Sequence, residues 1–308
     1  MALTAEGGLM LLINFAAFTG NLLMCFILYK KPSFHTTANT FTLSLTICHV
    51  FTSCLVMPFT AGSLVAGEWM FGQTLCDIQG FVFLALTWVP LQLLTIMVAR
   101  RYLNITQLLF HNKWFSLNRS TGMVLTIWVF DVVVLMFLAI LGGTAFQFSP
   151  KRSLLCTRPL SRENQTVNIF NTVITSALYI ALLIISIMTL CAIRRHEATF
   201  RARRRITPFD MRSAAEAKIT DKVLLALTIE ILLIWMPFVI IKLVEFPTQP
   251  AVMAIPRQAH LASTFLWFAV AVLHPVTYGA LYRPFSRELL RIVPTRLRQN
   301  KAHAEHAI

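Results

Sequence analysis

Three ionisable side chains stand inside strongly apolar stretches: His49 in SLTICHVFTSCLVMPF, Glu230 in LLALTIEILLIWMPF and His274 in VLHPVTYGALY. An imidazole titrates near neutral pH, and a nearby carboxyl can hold a proton on it. In an apolar medium such groups are functional candidates and need partners. Pro275, directly after His274, removes a backbone donor and permits a bend. None of this is catalytic machinery. The chain shows no nucleophile–base pair, phosphate-binding loop or metal cage, so it reads as a non-enzyme with no cofactor and no metal.

The elements that must carry these residues follow from composition. The 308 residues are 56% hydrophobic and only 13% charged, and mean hydropathy is +0.67. A soluble domain carries roughly twice that charged fraction. Apolar runs cover about 7–29, 38–65, 75–99, 120–145, 168–193, 220–246 and 258–282, each near or above the ~20 residues that span a bilayer. A membrane barrel would instead show short alternating segments. The predicted fold is an all-α membrane protein, a seven-transmembrane helix bundle forming one domain over 1–308. After it, YRPFSRELLRIV places Phe285, Leu289, Ile292 and Val293 opposite Arg287 and Arg291. That predicts a short amphipathic helix at about 284–293, lying on the membrane surface.

An odd number of spans puts the termini on opposite sides. Most of the 27 Lys and Arg cluster at Lys30–Lys31, at 100–119, at 194–222 and at 283–301. The positive-inside rule therefore predicts an extracellular N-terminus and a cytoplasmic tail in a multi-pass plasma-membrane protein. The net charge of +14 is then topology and attraction to the lipid bilayer, with no nucleic-acid partner implied. The first run lacks a basic region ahead of it and is too long for a signal peptide, so it is expected to be the first span. Cys76 and Cys156 both fall on the extracellular side, an oxidising compartment, and are expected to form a disulfide. Asn164, in NQT, is the outward-facing glycosylation candidate.

Seven spans of this polarity, with ordered signposts, resemble the rhodopsin-like (class A) G-protein-coupled receptors over nearly the whole chain. The signposts are Gly20–Asn21, WMFG at Trp69–Gly72, Cys76, Arg100–Arg101–Tyr102, Trp128, IWMPF at Ile234–Phe238 and HPVTY at His274–Tyr278. Parts of the second and third spans resemble melatonin-like and amine-like members. The resemblance implies that Trp235 floors a ligand pocket. It implies that Pro237 and Pro275 let helices swing, that Tyr278 rearranges on activation, and that Arg101 meets a heterotrimeric G protein.

Departures from the family pattern cluster. Positions that bind sodium in the family hold His49, His274 and Pro90, none with a side-chain oxygen, so that site is expected to be lost. Asn21 is kept. The resemblance makes His49 and His274 face each other, and Glu230 is an additional acid on the sixth helix. An Asn21, His49, Glu230 and His274 cluster is predicted, with three states open to it: a charged cluster, two neutral histidines, or a transition-metal site. Arg100 replaces the family acid that restrains Arg101, and Ala217 occupies the sixth-helix partner position, with Glu216 and Asp221 near. Either a raised basal activity or lost coupling follows.

Pocket positions carried over from the family are Gln79, Phe83, Leu84, Thr87, Trp235, Phe238, Lys242, His260, Thr264 and Phe268. Phe83 replaces the aspartate of amine receptors and Phe268 the lysine of opsins, which argues against a monoamine and against retinal. Lys242, His260 and Gln79 are expected at the mouth, unless Lys242 reaches to the surface. Two functions stand: a receptor that binds a small ligand and activates a G protein, and a non-coupling seven-helix partner, scaffold or decoy.

Overall fold

The computed structural model describes residues 2–142, 146–149, 153–158, 165–202, 207–245 and 255–292. Its helices are α1 (Ala2–Lys30), α2 (Thr37–Leu55), α3 (Met57–Ala66), α4 (Gly72–Thr106), α5 (Leu108–Trp114) and α6 (Leu117–Gly142), followed by α7 (Gln165–Arg201), α8 (Pro208–Ile234), α9 (Met236–Glu245), α10 (Arg257–Leu281) and α11 (Arg283–Ile292). Two pairs are single spans broken by a bend: α2–α3 at Val56, ahead of Pro58, and α8–α9 at Trp235, ahead of Pro237. Among the described residues seven helices, counted with those pairs joined, are long and apolar enough to cross a membrane. They run past the apolar runs at their ends, α7 reaching Arg201 and α4 reaching Thr106. Polar first and last turns continue a helix once its apolar middle is committed, because propagation is cheaper than nucleation.

The outward faces are apolar, as a lipid-facing surface requires: Leu12 is 69% exposed, Phe15 70% and Ile140 76%. Cys54 and Cys191 are also exposed there, while Cys48 is buried. The interior is packed by Met24, Phe41, Leu45, Leu86, Leu91, Leu93, Trp235, Phe268 and their neighbours. α1 and α10 approach closely where Gly20 meets Pro275, so close that a β-carbon on Gly20 would lie 3.0 Å from the proline ring.

The fold is not purely helical. β1 (Gln147–Ser149) and β2 (Ser153–Thr157) form an antiparallel hairpin with Phe148 opposite Cys156. The Cys76–Cys156 disulfide ties it to the start of α4. Phe146 donates its N–H to Asp77 at 2.8 Å and accepts from Gln73 at 2.7 Å. Its ring lies on Gly80, where an added β-carbon would come within 2.2 Å of it. Gly80→Ala should therefore force ring and hairpin outward, lowering stability by about 2 kcal/mol as overpacking does. Thermal unfolding of the purified protein measures it; an unchanged midpoint would mean the hairpin moves freely.

The amphipathic α11 follows directly on α10. Phe285 is buried against Phe34 and Tyr278, and Lys31 bonds Glu288 at 2.7 Å. That hydrogen bond is the main reason the Glu288 carboxyl sits below the usual carboxylate range. Val293 and Asn164 lie outside the described residues.

Candidate functional site

Beneath the hairpin, five aromatic rings, from α4, α9, α10 and the break before α9, fill the centre of the bundle. Phe83 of α4 meets Phe238 of α9 at 5.8 Å and Trp267 of α10 at 4.8 Å. Trp267 stacks on Trp235 at 5.2 Å and 16°, and Phe268 meets it edge-on. Both indole N–H groups are buried with no hydrogen-bond partner among the described residues. Trp267 was not among the residues the sequence suggested. Its signal was spacing: His260, Thr264, Trp267, Ala271 and His274 recur at four- and three-residue steps, one face of a helix, and all five are buried.

The other suggested pocket residues divide. Thr264 is buried on that face, and Thr87 bonds its own helix at Phe83. Leu84 is not with the rings; it packs toward α6, α7 and the hairpin. Gln79 is a strut and not part of a mouth. It is fully buried, donates to the Val56 carbonyl and the Thr60 hydroxyl at 3.1 and 3.2 Å, and accepts from the Cys156 N–H at 3.1 Å. Lys242 does not stand free either: it pairs with Glu245 at 3.1 Å and lies over the Phe238 ring. Glu245 also lies 3.5 Å from His260, tying α9 to α10.

Residues 20–278 match the family model for the 7 transmembrane receptor (rhodopsin family). The chain belongs to that family. It is a multi-pass membrane receptor and not an enzyme. A melatonin receptor type 1A-A from Danio rerio is 27% identical over 283 residues, 89% of this chain and 76% of that protein. A high-affinity lysophosphatidic acid receptor from Xenopus laevis is 28% identical over 126 residues, 41% of this chain and only 33% of that protein. Squid rhodopsin superposes with a TM-score of 0.81 at 17% identity, covering 96% of this chain and 86% of that one, which establishes the shared fold.

Midway along the receptor, His49 and His274 come together with ring centroids 5.0 Å apart. Glu230 does not join them. Its carboxylate accepts instead from the Thr277 hydroxyl, three residues past His274 and so a step along α10. The expected four-residue cluster is therefore not joined by hydrogen bonds among the described residues: the histidines meet each other and the acid pairs with Thr277. A short carboxyl on α8 takes the nearest donor on the facing helix and does not reach farther. Asn21 serves the backbone: its amide donates to Ala17 and Ala271 carbonyls at 2.7 and 2.6 Å. Ala271 is four residues before Pro275, so this carbonyl is the one the proline leaves without a helical donor.

At the basic end, the expectation that Arg101 is unrestrained is overturned. Its guanidinium bonds both oxygens of Asp221, at 2.5 and 2.7 Å, bridging α4 and α8. Asp221 lies four residues beyond Ala217, one helical turn on the same face, so the restraint is shifted by a turn and kept. Arg100 points elsewhere, to His111 of α5 at 3.3 Å, which separates the two like charges. Tyr102 is half-buried beside them. Tyr278 donates to Asn39 of α2 at 2.9 Å, holding α10 to α2.

The sequence also passed over two polar ties between spans. Gln92 of α4 donates to both oxygens of Asp131 on α6, at 2.7 and 2.8 Å. Trp128 donates to Ser44 of α2 at 3.0 Å.

Proposed function

We propose that this receptor takes a small, largely apolar ligand between α4, α9 and α10 under the hairpin, and in response activates a heterotrimeric G protein at its basic end. The Arg101–Asp221 pair carries the reading. It joins the third and sixth spans at the end where a G protein would enter, and it is a restraint that ligand binding can release. In this reading the N-terminus and hairpin are extracellular and the basic end is cytoplasmic, in accord with the charge asymmetry. Arg100, Arg101 and Tyr102 then contribute to the G-protein face, while Pro237, His274, Pro275 and Tyr278 carry the motion.

The ring cluster favours a flat, neutral ligand. Phe83 offers no acid to an amine and Phe268 no amine to retinal, while Glu245 already neutralises Lys242. Cells expressing the receptor with a promiscuous G protein should respond to a ligand of this class, melatonin being the first probe and lysophosphatidic acid the anionic comparison. The readout is second messenger. A receptor at the cell surface that neither recruits G protein with any ligand nor does so when Asp221 is replaced by asparagine would be a non-coupling scaffold or decoy, the rival reading.

A further inference from the structure

The break in the sixth span is held from outside. Pro237 has no N–H, and the helical ladder is interrupted between Ile234 and Met236, the ends of α8 and α9. Carbonyls in the turn before such a break lose backbone donors and, away from water, need others. The Leu232 carbonyl has one: the Tyr179 hydroxyl of α7 donates to it. Tyr179 packs against the main apolar core, in the same cluster as Trp235 and Ile231. Its phenol therefore enters the bend sideways, one turn from the tryptophan at its centre.

Side chains from neighbouring helices also reach backbone carbonyls near the prolines of two other spans. Gln79 of α4 donates to the Val56 carbonyl at the bend between α2 and α3. Asn21 of α1 donates to the Ala271 carbonyl that Pro275 frees in α10. Leu232 and Ala271 are thus carbonyls closed by a side chain from a neighbouring helix, whereas Val56 keeps its helical donor, the Thr60 N–H, and takes Gln79 as a further one. The three differ in what they join. Gln79 lies among disulfide, hairpin and α3, and Asn21 lies where Gly20 and Pro275 touch. Tyr179 alone closes the bend whose far arm, α8, carries Asp221 to Arg101.

We infer that Tyr179 is a positioning residue that latches the sixth-span hinge: its hydroxyl on the Leu232 carbonyl fixes the bend at the angle at which Asp221 reaches Arg101. With the latch made, the basic half of α8 is aimed at α4. With it broken, the bend is free to change and the Arg101–Asp221 distance changes with it. The latch acts through geometry and touches neither ligand nor G protein. This rests on the reading that α8 moves during coupling, so the decisive measurement is of the motion itself.

Tyr179→Phe removes one oxygen and keeps the ring. The comparison is Thr175→Val, one turn away on α7, which deletes another interhelical bond, from Trp88 at 3.0 Å, but not at the hinge. In full-length receptor in nanodiscs, spin labels are placed by unnatural amino acids at Leu109 and Met211, both exposed at the basic end. The Tyr179→Phe receptor should show a roughly fivefold larger population with the labels far apart, the scale of one hydrogen bond. Thr175→Val should match the parent. Substituting p-aminophenylalanine at position 179, which restores a donor, should restore the parent distribution; it also serves if Tyr179→Phe folds poorly. An unchanged distribution in Tyr179→Phe, or an equal shift in Thr175→Val, overturns the latch whatever the signalling. A shifted distribution with no change in ligand-free G-protein activation keeps the latch and counts against the coupling reading.

Discussion

Asp221→Asn should raise ligand-free G-protein activation. The asparagine keeps the shape and one acceptor oxygen but loses the charge that draws the Arg101 guanidinium onto α8. Two charge-assisted hydrogen bonds are affected, with both side chains 14% exposed. After discounting for solvent at that end, about 2 kcal/mol of preference for the joined state is lost, close to 30-fold in the off/on equilibrium constant. A bioluminescence reporter of G-protein dissociation, normalised to receptor at the surface, measures it. The charge-swapped pair Arg101→Asp with Asp221→Arg would not be a fair rescue, because Arg101 is also assigned to the G-protein face. Asp221→Glu is the better control and should stay near the parent. If Asp221→Asn signals no more than the parent, the pair is only a packing contact and the off-state is held elsewhere.

Trp267→Ala should be the most destabilising of the single changes considered. The indole is 4% exposed and lies between Phe83 and Trp235, with Phe268 edge-on to it. Removing it empties the volume of a large ring among side chains too stiff to collapse into it. The cost is about 3–5 kcal/mol, visible as a fall in the thermal midpoint of detergent-solubilised receptor. Trp267→Phe keeps a ring and should lose much less. The same emptied volume borders the proposed ligand site, so a flat aromatic compound added to the alanine variant should recover part of the lost midpoint. An alanine variant as stable as the parent would show that the stack contributes little to holding α4, α9 and α10 together.

What could be read in the chain and what could not separate along one line. Whatever depends on a single helix was legible: seven apolar runs, the amphipathic face with Phe285 and Arg287, the break announced by Pro237, the cysteine pair on one side. The meeting of His49 and His274 was legible only through the family resemblance. What depends on how neighbouring helices are rotated against each other was not. Glu230 and Thr277, Gln92 and Asp131, Arg101 and Asp221 are all pairs in which a helix offers several candidates a turn apart. A rotation of a few tens of degrees or a shift of one turn chooses among them. Gln79 failed for a related reason. Its family position suggested a ligand contact, but its buried amide is used up by the Val56 carbonyl, the Thr60 hydroxyl and the Cys156 N–H. The hairpin escaped because its strands are only three and five residues long, too short for alternation to register.

The side-chain closures at Leu232 and Ala271 also set a clock. Each closed carbonyl faces the interior of a bundle surrounded by lipid, where nothing but a protein donor or an imported water can replace the lost bond. When Tyr179 leaves Leu232, or Asn21 leaves Ala271, the oxygen must be rewetted before the new bend angle can persist. Changing state is then a hydration event as much as a mechanical one. Its pace is set by how readily a few waters enter a core packed by apolar side chains such as Met24, Leu45, Leu86 and Leu93.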